Sequence, residues 1–171
     1  FFGSIAPGEN GISVELANSD NTSSIGTVVI GTPGNGNIFN TNTKKFISLN
    51  NETLSTAGDP VWTGTYVSTK AKVTANVTAT DNQFDAGAGV QFPTAMILGT
   101  LFELENHIQH KIDDGGLGVV TVKANNMYVT AQSFVTPATT TPSVQRGIDA
   151  AGSGFTVNVN SGTYASALNI N

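Results

Sequence analysis

The sequence predicts a mostly β chain of short strands and tight turns, interrupted by two helices. Three observations carry this. Only 11% of the 171 residues are charged, and Thr, Asn, Ser and Gly fill the place of the missing charge. Thr fits a pleated surface, and Asn and Gly accept the left-handed conformations that tight turns need. Short alternating apolar runs are punctuated by Gly, Asn, Asp and Pro throughout the first 92 residues. Hydrophobic content is an ordinary 39%, enough for a packed core and against disorder of the whole chain.

Strands are expected at Ile12–Leu16, Thr27–Ile30, Lys45–Leu49, Thr65–Ser68, Lys72–Thr78 and Gly89–Phe92. The run Val73-Thr-Ala-Asn-Val-Thr-Ala79 alternates as a half-buried strand does. No strict internal repeat is visible. The loose recurrence of strand, Asn/Gly turn and strand fits a β-sandwich or a β-solenoid equally well.

Residues 93–114 change period. After Pro93, which can open a helix, Ile97, Leu101, Leu104, Ile108 and Ile112 recur at helical spacing. They predict one amphipathic helix over about 97–113, closed by Asp113-Asp114-Gly115-Gly116. Gly99 weakens its first turn, which puts the start near Thr100. Val119–Lys123 and Met127–Ala131 follow as an expected strand pair around Asn125-Asn126. Residues 136–142 read as a linker. Ser143 is expected to cap a second short helix over about 143–151, ended by Gly152-Ser-Gly154. Two strands, Phe155–Val159 and Ala167–Ile170, come last. The organisation expected is therefore strands over 1–92, helix and strand pair over 93–135, and linker, short helix and further strand over 136–171.

The stretch Pro142-Ser-Val-Gln-Arg-Gly-Ile-Asp-Ala-Ala-Gly-Ser-Gly-Phe-Thr-Val-Asn-Val-Asn-Ser-Gly-Thr-Tyr164 resembles the opening of pectate-lyase-like right-handed parallel β-helix proteins. Ser143, Gln145, Ile148, Ala150, Ala151, Val157, Val159, Gly162, Thr163 and Tyr164 carry the match, and Phe155 stands where that pattern has Asp. Upstream, Leu117-Gly-Val-Val-Thr-Val-Lys123 and Tyr128-Val-Thr130 look like the linker before such repeats in large bacterial surface proteins. The resemblance covers about 25 residues closely. It implies a right-handed parallel β-helix (β-solenoid), with β-sandwich as the alternative. It also implies that the helix at 143–151 caps a solenoid end, with Val144 and Ile148 supplying the apolar face.

In the resembled proteins that cap opens the solenoid, whereas here it lies near the end of the sequence. This rotated order leads to the expectation of one section of a repetitive chain, or of subunits that donate strands head to tail, with Phe1, Phe2, Ile5, Val157, Val159, Leu168 and Ile170 at the junction. The function expected is structural and not enzymatic: a module of an extracellular fibre, surface layer or large adhesin, whose partners are copies of itself. The alternative is a carbohydrate-binding or polysaccharide-cleaving β-helix protein.

Chemistry-bearing groups are sparse. The net charge of −5 and the absence of basic runs make nucleic acid and anionic membrane poor partners. No apolar run is long enough for membrane insertion. With no cysteine, thiolate chemistry and Cys-ligated zinc are excluded. No cofactor is expected, with Ca²⁺ a candidate. On a continuous helix Glu103, His107, His110 and Asp114 would share one water-facing sector, a spacing that can hold Zn²⁺. Asp81 and Asp85, either side of Asn82-Gln83, could offer oxygen ligands to Ca²⁺. Plain solvation and turns closed on their own backbone are the competing explanations, as they are for Asp20 and Asp59. A sugar-cleaving site would need converging carboxylates, and the only Arg is Arg146, on the cap helix. Phe46, Trp62 and Tyr66 could form a sugar-stacking platform. Asn21, Asn51 and Asn76 begin glycosylation acceptor triplets.

Overall fold

The computed structural model describes residues 10–13, 28–40, 45–49, 73–134, 141–165 and 167–169. The expectations at Phe1, Phe2, Ile5, Asp20, Asn21, Asn51, Asp59, Trp62, Thr65–Ser68, Tyr66 and Ile170 fall outside them. Among the described residues the fold is mostly β, in small sheets, with two helices.

The strands are β1 (Asn10–Ser13), β2 (Val28–Val29), β3 (Ile38–Phe39), β4 (Lys45–Ser48), β5 (Val77–Thr78), β6 (Gln83–Asp85), β7 (Val90–Gln91), β8 (Ile108–Gln109), β9 (Val120–Thr121), β10 (Asn126–Val129) and β11 (Thr156–Val159). Helix α1 spans Leu98–Asn106 and α2 spans Val144–Ala150. The sheets are ordered β1-β4-β8, β2-β5-β9, β3-β6-β7 and β10-β11. Every described pairing is parallel except the β6–β7 hairpin. The chain thus visits three sheets in turn through β1, β2 and β3, and returns to each through β4, β5 and β6. It then revisits the first two through β8 and β9.

Parallel neighbours need a long connection, because a tight hairpin reverses direction. Here like residues meet after such connections. Val28 lies opposite Val77, which lies opposite Val120. Ile12 is in register with Ile47, and Ile47 with Ile108. Phe39 pairs with Phe84, their rings stacked at 4.9 Å and 11°. Apolar residues stacked this way fill one core: Phe46, Ile47, Val77, Phe84, Leu104 and Ile108 are all buried.

The alternation expected at 73–79 is present: Val73, Ala75, Val77 and Ala79 are buried while Thr74 and Asn76 are exposed. Only Val77–Thr78 of that run is paired strand. Of Gly89–Phe92, Val90–Gln91 is strand, antiparallel to β6.

The long helix over 97–113 is corrected. Helix α1 opens at Leu98, ahead of Gly99, and stops at Asn106. At His107 (φ −96°, ψ 8°) the chain leaves the helix, and the His107 carbonyl accepts from the Phe46 N–H at 2.7 Å. Ile108 then pairs with Ile47. Helical spacing and this strand-plus-turn path both bury Ile108 and Ile112, so the apolar stripe alone does not distinguish them.

The strand pair expected across Asn125-Asn126 is also corrected. The β9 strand pairs with β5, and β10 pairs with β11, both in parallel. Asn125 (φ 58°) takes the left-handed turn into β10. Ala167–Asn169 contains no paired strand.

Candidate functional site

Strand β11 forms because Thr156-Val-Asn-Val159 alternates, and β10 offers an unbroken ladder beside it. Met127 lies opposite Val157 and Val129 opposite Val159. Asn158 Nδ2 donates to Asn126 Oδ1 at 3.1 Å, an amide bridge between the two strands. The Thr156 and Asn160 N–H groups donate to the carbonyls of Asn125 and Val129. Successive groups in a strand point to opposite sides. The Val157 and Val159 N–H groups therefore face away from β10, along an edge that no described strand covers.

Helix α2 lies over this pair. Its buried residue is Gly147, set against Val129 and Val157, with Ala150 and Ala151 packed beside it. Val144 and Ile148, expected to supply the apolar face, are half-buried. The backbone at Gly147 approaches the strands so closely that a glycine there makes the contact instead. Ser143 occupies the N-cap position but makes no side-chain cap hydrogen bond. The Arg146 guanidinium ties the helix down by donating to the carbonyls of Asp113, Ser133 and Thr141.

Val157, Val159 and Leu168 are the expected junction residues among those described. Val157 is half-buried beneath α2, but Val159 is 42% exposed, beyond the helix's cover, and Leu168 is 53% exposed.

The candidate zinc sector does not exist. Because α1 stops at Asn106, Glu103 stays exposed on the helix, and the His107 ring stacks on Phe46 at 4.7 Å. His110 and Asp114 turn inward and are buried. Asp114 Oδ1 accepts from the Gly116 N–H, closing the turn. Asp81 is bonded to its neighbour Thr80, and Asp85 Oδ1 accepts from the Gly87 and Gly89 N–H groups, so each works within its own turn. No group of three or more His, Asp or Glu side chains among the described residues is placed to hold a metal ion. Phe46 is fully buried among Phe39, Phe84 and His107, where no sugar can stack on it.

The turn after β8 instead holds a buried polar joint. His110 Nε2 meets Glu105 Oε1 at 2.8 Å, and His110 Nδ1 accepts from the Val120 N–H at 2.9 Å. Accepting the Val120 N–H hydrogen bond on Nδ1 places the ring's own proton on Nε2, where it is donated to Glu105. Asp113 Oδ2 accepts the His110 backbone N–H at 2.9 Å. Burial works against a charged His110 ring, but the Glu105 carboxylate, its hydrogen bond and Asp113 outweigh it and raise the pKa. Burial likewise pushes the Asp113 carboxyl up to about 6, against the pull of His110. With both ring nitrogens engaged inside the fold, this arrangement leaves His110 no free position for an outside group.

Glu105 and Asp113 were missed as site residues. A signal existed for one of them: Glu105 interrupts the apolar stripe directly beside Leu104, on the face that must be buried. No family model, curated protein or solved structure matches this chain.

Proposed function

We propose that this chain is a structural section of an extracellular fibre, surface layer or large adhesin, built as a β-solenoid and extended head to tail by further copies of itself. The observation that carries the reading is the in-register parallel stacking of Val28, Val77 and Val120 from successive passes of the chain. A chain that returns to the same ladder on each pass builds a continuous column of backbone hydrogen bonds and stacked apolar residues. In such a column the two outer edges are complementary, since one offers the groups that the other lacks. The open edge of β11 fits a strand arriving in the same direction as β11 itself. The scarcity of charge and the abundance of Thr and Asn suit an exported structural protein.

Electron microscopy of the purified chain over rising concentration, with sedimentation velocity alongside, tests this. Filaments or a ladder of oligomers are expected. A single monomeric species at every concentration would remove the reading. A glycan panel run on the same sample separates the carbohydrate alternative, which needs saturable sugar binding by the monomer.

A further inference from the structure

We propose that Glu105, His110 and Asp113 form a proton-binding clasp, which makes this fold more stable in mild acid than at neutral pH. The inference does not depend on the assembly reading. Two carboxyl groups converge on His110, Glu105 on its ring and Asp113 on its backbone N–H, in a place that water barely reaches: Glu105 is 5% exposed, His110 1% and Asp113 4%. Their contacts join separate parts of the fold. Glu105 comes from α1, His110 and Asp113 from the turn after β8, and the Val120 N–H from the start of β9.

Among the described residues, few other charged and titratable groups face the trio. Lys45 comes from β4, with its Nζ donating to the Asn106 carbonyl. Arg146 comes from α2 and donates to the Asp113 carbonyl. Asp114 is next in the turn, and Tyr128 comes from β10, near Glu105. Burial, the largest influence, and Glu105 oppose the charged carboxyl of Asp113, whereas His110, through its backbone N–H among other contributions, and Lys45 favour it.

A carboxyl that ordinarily titrates near 3.8 is held at about 6 in the folded state. The folded chain therefore binds that proton more tightly than the unfolded chain does. The resulting stability is complete below the ordinary value and is lost as pH rises through about 6. His110 takes no part in this proton uptake, because its Nδ1 lone pair is already engaged by the Val120 N–H.

The test compares denaturant midpoints of the whole chain at about pH 5 and about pH 7.5. A higher midpoint is expected at the lower pH, and Asp113→Asn is expected to lose most of that difference. An Asp113→Asn protein that keeps the full wild-type difference overturns the proposal. Should that variant fail to fold, a carbon-13 NMR titration of the Asp113 carboxyl in the wild-type chain decides. A midpoint near 6 supports the clasp, and one at the ordinary carboxyl value of about 4 overturns it.

Discussion

Asn82 holds Asn37 through a single amide oxygen. Its Oδ1 accepts both the Asn37 backbone N–H at 2.9 Å and the Asn37 Nδ2 at 3.0 Å, across a separation of 45 residues. The other end of the same amide donates to the carbonyls of Ile30 and Ala79. One fully buried side chain thus satisfies the corner where two passes of the chain turn together. Asn82→Ala takes this partner from the Ile30 and Ala79 carbonyls, whose bonds to it are buried, each costing about 1–3 kcal/mol. A loss of roughly 2–4 kcal/mol is expected, read as a lowered denaturant midpoint. Asn82→Asp should fare no better near neutral pH, because a carboxylate would then face two carbonyl oxygens.

Gly147 sets how closely α2 approaches the β10–β11 pair. A Cβ built there collides with Val129 Cγ2 and lies 3.1 Å from Val157 Cγ1. Gly147→Ala should therefore destabilise the chain by about 1–3 kcal/mol, although alanine favours helix. Ser153→Ala, on the exposed turn after the helix, is expected to change stability by no more than about 0.5 kcal/mol. Equal losses in the two variants would count against the close approach at Gly147.

How much of this was legible in the sequence follows from how local each feature is. The alternation at 73–79 and the span of α2 are fixed by neighbouring residues, and both were readable. Ile38–Phe39 and Gln83–Asp85 were not read as strands. Each is two or three residues long and is defined by a partner about 45 positions away. The recurrence of passes was hidden for a related reason. Ile47 follows Ile12 by 35 residues, but Ile108 follows Ile47 by 61, so no fixed period exists to be found. The end of α1 was invisible because Ile108 and Ile112 fit a helix and a strand-plus-turn equally well. The zinc sector failed with that helix, and the buried joint emerged from the same residues once the chain turned inward at His110.

The aromatic stack gives a third expectation. The Phe84 ring is fully buried, stacked on Phe39 at 4.9 Å and tilted against Phe46 at 5.7 Å. Phe84→Ala removes the middle of this group and leaves a cavity that rigid neighbouring strands cannot close. The expected cost is about 3–5 kcal/mol. Phe84→Leu keeps most of the volume and should cost about 1 kcal/mol. Near-equal midpoints for the two variants would show that the stack relaxes around the gap.

The open edge of β11 gives the sharpest test of assembly, because its two sides can be separated chemically. Thr156 and Asn160 donate toward β10, so the intervening Val159 N–H points outward. Proline at 159 deletes that outward donor and sets a ring on the edge, while the hydrogen bonds to β10 remain. Proline is tolerated on edge strands where the missing N–H faces away from the ladder. Val159→Pro should therefore fold with near wild-type circular dichroism and lose the ability to lengthen into oligomers. Asn158→Pro, on the inward side, should damage the β10–β11 pairing itself and lower stability by about 3 kcal/mol or more. If Val159→Pro folds and still assembles as the wild type does, the outer edge of β11 is not where copies join.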